Sequence, residues 1–469
     1  MRSSRRRLSI LFPTLFFFVV APFYCGRAGG EQQDPFDREA VDAFLSYLRI
    51  DTSNPPGNES AGARFLQSLF QRNGLNATLV GSDPQRQSLY LRMASGTNEK
   101  ALLLLHHIDV VPAGPDWTKP AFAAQQSGGY IWGRGALDIK SLGIAEAFAM
   151  IDLKRRNVPL RRDVIYLAVA DEEMGGAHGC RELMEKHPEL FQNVGYVLNE
   201  GGYNETIVDY VTFWGIEVQQ KLPLWIELKA KGSGGHAASP PDDGGALAKL
   251  VRALAAVENI ATPYRLTEAV EKYFHEAGQG RPDERGEVLR SIAAPLDVPK
   301  IERVLSPAYR SLLRDTIAIT KITGGTSVNA VPTSAIADLD IRLLPDAAPD
   351  AMIAQVRAAA GKNAEVNVLL STQPVAASPA DTDLFRAMSA TMRKREPRSR
   401  VGAIVGAGTT DSRFFRARGI VAYGIAPFKV NYYDVGTVHA ADERIRDRFF
   451  TEGVGLTRRI VSDFCTRPQ

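Results

Sequence analysis

Three cysteines in 469 residues, at positions 25, 180 and 465, cannot build a disulfide framework, so the fold rests on packed cores. A strong charge of either sign is also missing. The 56 Lys and Arg against 53 Asp and Glu give +3, and five of the arginines precede the first acidic residue, Glu31. The rest of the chain is slightly acidic, and no Lys/Arg stripe interleaved with aromatics occurs, which argues against a nucleic-acid partner. Beyond Tyr24 no apolar run is long enough to cross a bilayer, so no membrane span is expected in the mature chain. The Gly-rich stretch Gly406-Ala-Gly-Thr-Thr-Asp411 lacks the Lys-Ser/Thr that a phosphate-binding P-loop requires. Repeats and low-complexity tracts are absent as well, while 45% hydrophobic and 23% charged residues are ordinary for packed domains.

What is present begins with a basic stretch, an apolar run from Leu8 to Tyr24 and small residues at Ala28 and Gly29. This is the order of a secretory signal peptide over residues 1–28, with an uncleaved anchor as the alternative, and it predicts a secreted or periplasmic protein. Helical spacing then marks Asp37–Ile50 and Ala61–Gln71. Short apolar runs at Ala101–Leu105, Val164–Ala170 and Tyr196–Leu198, with a helix at Leu142–Leu153, read as a buried α/β sheet. From about Leu222 a β-α-β-β-α-β order suggests a small α+β unit, holding a polar helical insertion at about 262–312. The α/β pattern returns after Pro379. The expected architecture is one discontinuous α/β domain, at 31–217 and 377–469, with a smaller domain at 218–376 inserted in it.

Each buried run ends in polar residues: His106-His107, Asp171-Glu172-Glu173 and Asn199-Glu200. Singly these are capped strand ends or solvated turns. Together they belong on one edge, because ligands in open α/β sheets bind beyond the carboxyl ends of the strands. Clustered carboxylates repel one another and call for a cation. Mixed His and Asp/Glu donors without thiolate suit zinc, with cobalt or manganese as looser fits. A carboxylate can bridge two such ions about 3.5–4 Å apart, which describes a two-metal hydrolase.

The motifs His107-Ile-Asp109-Val-Val-Pro112, Gly133-Arg-Gly-Ala-Leu-Asp138-Ile-Lys140, Asp171-Glu172-Glu173-Met-Gly-Gly176, Asn199-Glu200-Gly-Gly202 and Gly436-Thr-Val-His439-Ala resemble a known family. It is the co-catalytic zinc peptidase family of aminoacylases, glutamate carboxypeptidases, acetylornithine deacetylases and succinyl-diaminopimelate desuccinylases, and the branch resembled is that of carboxypeptidase S. The resemblance runs from about residue 36 to the C-terminus. It implies a three-layer α/β zinc-peptidase domain with a ferredoxin-like lid or dimerisation domain, and a homodimer formed through that lid. It further implies that Asp138 bridges two zinc ions, with His107 and Glu200 completing one set and Glu173 and His439 the other. Glu172 would be the general base, and Asp109 would orient His107.

In the lid, Gly235-His236-Ala-Ala-Ser-Pro matches a motif whose His steadies the oxyanion, often from a neighbouring subunit. Asn329 would lie near the scissile carbonyl, and Arg342 would grip a substrate carboxylate with its planar fork. Arg413 is a weaker candidate for the same task. The implied activity releases an amino acid from N-acyl amino acids or from the C-terminus of short peptides. Alternatives are a carboxypeptidase or dipeptidase acting on peptides only, a non-catalytic metal-binding protein on the same scaffold, and a Cys-His hydrolase built on Cys180 and His178.

Overall fold

The computed structural model describes residues 34–467 except Val208; the signal segment expected at 1–28 lies outside the described residues. Nine strands form a mixed sheet. Along its path they run Thr78–Val80, Ser88–Met93, Val164–Val169, Ala101–His107, Val194–Asn199, Val421–Gly424, Tyr210–Gln220 and Arg400–Gly406, with Tyr203–Ile207 paired off Tyr210–Gln220. Ala101–His107 is parallel to both its neighbours, and Val421–Gly424 is parallel to Val194–Asn199. Their carboxyl ends therefore open onto one edge.

The central strand is buried throughout because both faces are covered. Leu102 and Leu104 join the cluster made with the helices Pro35–Leu48, Lys140–Arg156 and Asp447–Cys465, which includes Phe44, Phe148 and Phe450. Leu103 and Leu105 pack on the other side with Leu183 and Phe415, from Cys180–Lys186 and Ser412–Arg416. Period-two alternation thus feeds two cores from one apolar run. Helix Lys140–Arg156 is buried from Lys140 to Leu153 and stops where Asn157 turns left-handed, φ 48°.

The chain leaves the large sheet at Gln220 and enters a second one at Leu222, with buried Lys221 as the link. The second sheet is antiparallel, in the order Thr316–Gly324, Ser334–Leu343, Leu222–Lys231, Glu365–Ser371. Its inner residues Leu224, Ile226, Leu339 and Ile341 pack with Leu250 and Val356 of helices Gly245–Glu258 and Pro349–Ala360. The helices Glu268–Gln279, Glu284–Ser291, Val298–Val304 and Pro307–Ser311, which sequence assigns to the smaller unit, are seated on the large sheet instead. Val270, Tyr273, Phe274 and Ala277 cluster with Phe213, Ile404 and Val405. They cover the outer strand Arg400–Gly406, whose edge would otherwise be open to pairing. Lys221 ties the two units there, its Nζ donating to the carbonyls of Ser311 and Arg314 at 2.9 Å.

Cys180 and Cys465 are both free and buried. Burial and the neighbouring Asp411 push the Cys180 thiol well up, which removes the thiolate that a Cys-His hydrolase needs. Among the described residues no helix is long and apolar enough to cross a membrane.

His106 points away from the site, into the core beside Tyr47, Tyr166 and Glu146. Burial, aided by the charge of His107, drives its imidazole down to about 3, and burial drives the Glu146 carboxyl up, so the two face each other as neutral groups. Below about pH 6.5 the unfolded chain takes a proton that the native imidazole refuses. The share of native stability that His106 controls is therefore lost as pH falls from about 6.5 towards 3, while the raised Glu146 carboxyl, which holds its proton where the unfolded chain has released it, acts in the opposite direction. Urea unfolding of metal-free protein across this range is expected to show a shallower acid limb in His106→Phe than in the parent; equal slopes would exclude His106 as the source.

Candidate metal centre

Three carboxyl ends of the large sheet meet at one cleft. Strand Ala101–His107 delivers His107, the turn after Val164–Val169 delivers Glu172 and Glu173, and Glu200 follows Val194–Asn199. Asp138 comes from the loop before helix Lys140–Arg156, and His439 from the loop before Asp447–Cys465. Two trios result, His107 with Asp138 and Glu200, and Asp138 with Glu173 and His439, each with its donor atoms within 4.8 Å of one another. Asp138 gives one oxygen to each. Its Oδ1 lies 3.1 Å from His107 Nε2 and its Oδ2 lies 3.0 Å from His439 Nε2. Glu200 Oε1 is 3.6 Å from His107 Nε2, and Glu173 Oε2 is 3.4 Å from His439 Nε2.

The donor set fits a cation on a structural test. His107 Nδ1 is 2.8 Å from the carbonyl oxygen of Asp109, an atom that only accepts, so Nδ1 carries a proton. In the neutral ring Nε2 is then a lone pair facing two carboxylates. That geometry is repulsive unless a positive charge lies between them, or unless the ring takes a second proton. The electrostatics register the same demand. Burial pulls the His107 imidazole down, yet Glu200 and the bond to Asp138 hold it well above the usual range. Hydrogen bonds to Asp138 and Glu173 raise His439 to about 10. Burial forces Glu200 well up. Glu173 Oε1 is buried without a hydrogen-bond partner.

Asp109 does more than the sequence suggests. Its carboxylate lies 3.6 Å from His107 Nδ1, and the shorter contact to the ring comes from its backbone carbonyl. The carboxylate instead accepts the backbone N–H groups of Glu172 and Glu173, both at 3.1 Å, and the Asn54 amide at 2.9 Å. One buried side chain thus fixes the turn that carries both glutamates.

Glu172 lines the cleft, and burial with Asp411 beside it pushes its carboxyl up to about 8. Arg413 sits beside it, Nη1 at 3.7 Å from Glu172 Oε1 and Nη2 at 3.8 Å from Asp411 Oδ1, and it donates to the carbonyls of Thr410 and Gly175. Arg342 also lines the cleft, opposite in kind: a cation among carboxylates. Its Nε and Nη2 grip Asp340 at 2.6 and 2.8 Å and its Nη1 donates to Thr409 at 2.7 Å. Two of its five donors remain for another partner. His236 and Asn329 are exposed on the smaller unit, and neither lines the metal cleft of this chain.

Sequence reading missed Glu443. This fully buried carboxylate accepts the backbone N–H groups of Gly135, Leu137 and Asp138 at 3.0, 2.7 and 3.0 Å and pairs with Arg134 at 2.7 Å. It holds the Asp138 loop in place from a position four residues after His439. The unpaired N–H groups of a Gly-rich loop called for an acceptor, but nothing in the local pattern locates one about 300 residues away.

Residues 103–463 match Peptidase family M20/M25/M40, and the chain belongs to that family. It is a metal-dependent hydrolase. It is 29% identical over 450 residues to aminoacylase-1A of Rattus norvegicus, covering 94% of this chain and 98% of that protein. It is 28% identical over 430 residues to the N-fatty-acyl-amino acid synthase/hydrolase PM20D1 of Xenopus tropicalis, covering 87% and 82%. In fold it is similar to the M20 family metallo-carboxypeptidase Sso-CP2 of Sulfolobus solfataricus, with a TM-score of 0.70, 21% identity and coverage of 91% and 99%. It is likewise similar to human carnosine dipeptidase 1, with a TM-score of 0.71, 18% identity and coverage of 91% and 97%.

Because Glu443 immobilises the loop that carries the shared ligand, Glu443→Gln is expected to weaken zinc binding by roughly 10- to 100-fold, the usual cost of losing a group that orients a ligand. Zinc titration of the chelator-stripped protein checks this, with circular dichroism to confirm the fold; unchanged affinity would make Glu443 a fold residue only.

Proposed function

We propose that this protein releases an amino acid from N-acyl amino acids, with Glu172 as general base, at a centre of two divalent metal ions. The observation that carries the reading is the single Asp138 carboxylate shared by two ligand trios, with a half-buried Glu172 in the same cleft. His107, Asp138 and Glu200 would hold one ion, and Asp138, Glu173 and His439 the other; the donors suit zinc, with cobalt or manganese as substitutes. Two ions at such a site polarise an amide carbonyl and make water nucleophilic near neutral pH.

The chain's own groups supply the rest. Glu172 accepts the proton of the attacking water and returns it to the leaving nitrogen. The site is prepared for this by Asp109, which clamps the backbone of Glu172 and Glu173 so that the base and the neighbouring ligand keep separate directions. Arg342, already held flat by Asp340, offers its remaining donors to the carboxylate of the amino acid. The full-length likeness to aminoacylases supports acyl amino acids over peptides. A carboxypeptidase or dipeptidase is the second reading, because a peptide's C-terminal carboxylate suits Arg342 equally.

The signal segment supports export, to a secreted or periplasmic location. For His236 and Asn329 we propose action across a homodimer, on the partner's cleft. The outer strand Thr316–Gly324 supports this with an unpaired edge and exposed Ile319 and Ile322.

Zinc-loaded protein given a mixed panel of N-acyl amino acids and short peptides should release amino acids preferentially from the former; preference for peptides would overturn the acylase reading. Glu172→Ala should retain both metals and lose kcat by roughly 100- to 10,000-fold, and substantial residual turnover would remove Glu172 as the base. Arg342→Ala should raise KM for substrates with a free carboxylate far more than for their methyl esters, whereas equal losses would dismiss the clamp.

A further inference from the structure

A cavity of about 410 Å³ lies under the 268–311 helices and takes no part in the chemistry above. Its wall is largely aromatic and aliphatic, with Tyr203, Tyr273, Tyr309, Leu312, Ile404 and Val430 contributing. Strands Tyr203–Ile207 and Arg400–Gly406 form one side, and helices Glu268–Gln279, Glu284–Ser291 and Pro307–Ser311 form the other. Main chain divides it from the metal cleft. Glu200 lines the cleft while Gly201 and Gly202 line the cavity, and Thr409 lines the cleft while Gly408 and Thr410 line the cavity. That wall is tightly packed, since a Cβ at Gly201, φ +105°, would fall 2.1 Å from Glu217 Oε2. Ala308, Ala407 and Val435 line the cavity and are exposed, so its mouth is on the solvent side.

The carboxylates of the wall are already engaged. Glu205 accepts from Arg281 Nη1 at 2.7 Å and from the Tyr309 hydroxyl, and Glu217 pairs with Arg416 Nη2 at 2.6 Å. Arg285 also lines the cavity, half-buried, and among the described residues it has no hydrogen bond and no ion pair. Glu205 and Asp283 lie near enough to feel its charge, yet both are bonded to Arg281 instead. Its guanidinium carbon is 6.0 Å from the centre of the Tyr309 ring. The side chain does nothing for its own helix either, because it stands in the first turn of Glu284–Ser291, where the macrodipole favours anions. Five N–H donors are thus left at the wall of a tyrosine-rich cavity with no acceptor among the described residues.

We propose that this cavity is a second ligand site, separate from the metal cleft, for a small aryl-substituted monocarboxylate held by Arg285. The carboxylate matches the planar fork of the guanidinium, which can donate two parallel hydrogen bonds to it. The aryl group then lies among Tyr203, Tyr273 and Tyr309, where edge-to-face and offset ring contacts add to the gain from displacing water. The volume falls within the usual ligand-pocket range of about 300–1,000 Å³. Glu205 and Glu217 in the wall select against a second negative charge on the ligand, and a neutral ligand leaves the guanidinium without its acceptor. The site is non-catalytic: none of the five candidate metal ligands lines it, nor does Glu172. It stands whichever amide the metal centre cleaves.

Calorimetric titration of the zinc-loaded chain with 3-phenylpropionate tests this, with 3-phenylpropanol as the uncharged control. The parent should bind the acid, and Arg285→Gln should weaken that binding by roughly 10- to 100-fold, the worth of charge-assisted hydrogen bonds. Arg342→Ala removes the other candidate carboxylate partner, the one in the metal cleft, and should change the affinity by no more than about twofold. Ala308→Trp, at an exposed position on the rim, adds bulk without touching Arg285 or its helix and should weaken binding at least about tenfold. Loss of binding in Arg342→Ala with Arg285→Gln unaffected would place the acid in the metal cleft and overturn the proposal. Equal affinity for the acid and the alcohol, or no binding to the parent, would overturn it as well.

Discussion

The structure is organised by a cluster of acidic groups that water alone does not make stable. Asp138, Glu173 and Glu200 converge in a cleft whose walls are largely buried, and two imidazoles face them with lone pairs or protons according to what else is present. Everything around the cluster serves to hold like charges together against their repulsion. The central strands bring His107 and Glu200 to one edge, buried Asp109 fixes the turn of Glu172 and Glu173, and Glu443 fixes the loop of Asp138. A divalent ion turns this arrangement from a cost into a binding site, which is why the family's chemistry and its fold are so closely joined.

The two units divide the task. The large sheet positions the candidate ligands and Glu172, because its parallel strands end on the same edge. The smaller sheet contributes Pro223, Trp225, Arg342 and Leu370 to the cleft, so one wall of it is held by a different core. The helices at 268–311 take a third part. They close the outer edge of the large sheet and in doing so enclose an apolar volume beside the metal ligands.

Much of this was legible in the sequence because the relevant signals are local. Apolar runs such as Ala101–Leu105 announced the buried strands, and the polar residue that follows each run announced the site. Helical spacing, read over Leu142–Leu153, located Lys140–Arg156 closely. What escaped was set by distant partners. Strand Tyr210–Gln220 mixes Thr, Glu and Gln with aromatics and is buried because Val211, Trp214, Ile216 and Val218 enter the main core while Phe213 packs with the 268–311 helices. Polar composition placed the 262–312 segment in the smaller unit, whereas its apolar stripe of Val270, Tyr273 and Phe274 had no visible partner until Ile404 and Val405 were placed opposite. Glu443 and Asp109 show the same limit at the site: a carboxylate's acceptors are plain in sequence, but which backbone it serves is not.

The span between Asp138 and its partners has a consequence for how the two trios come together. The loop of Asp138 is anchored by Glu443 and the second trio completed by His439, both about 300 residues further along the chain, in a segment that leads into helix Asp447–Cys465 and its packing against Lys140–Arg156. The first trio draws on three neighbouring loops of one continuous stretch, whereas the second exists only where that distant segment has docked. A change that loosens the docking of Asp447–Cys465 therefore reaches the second trio before the first.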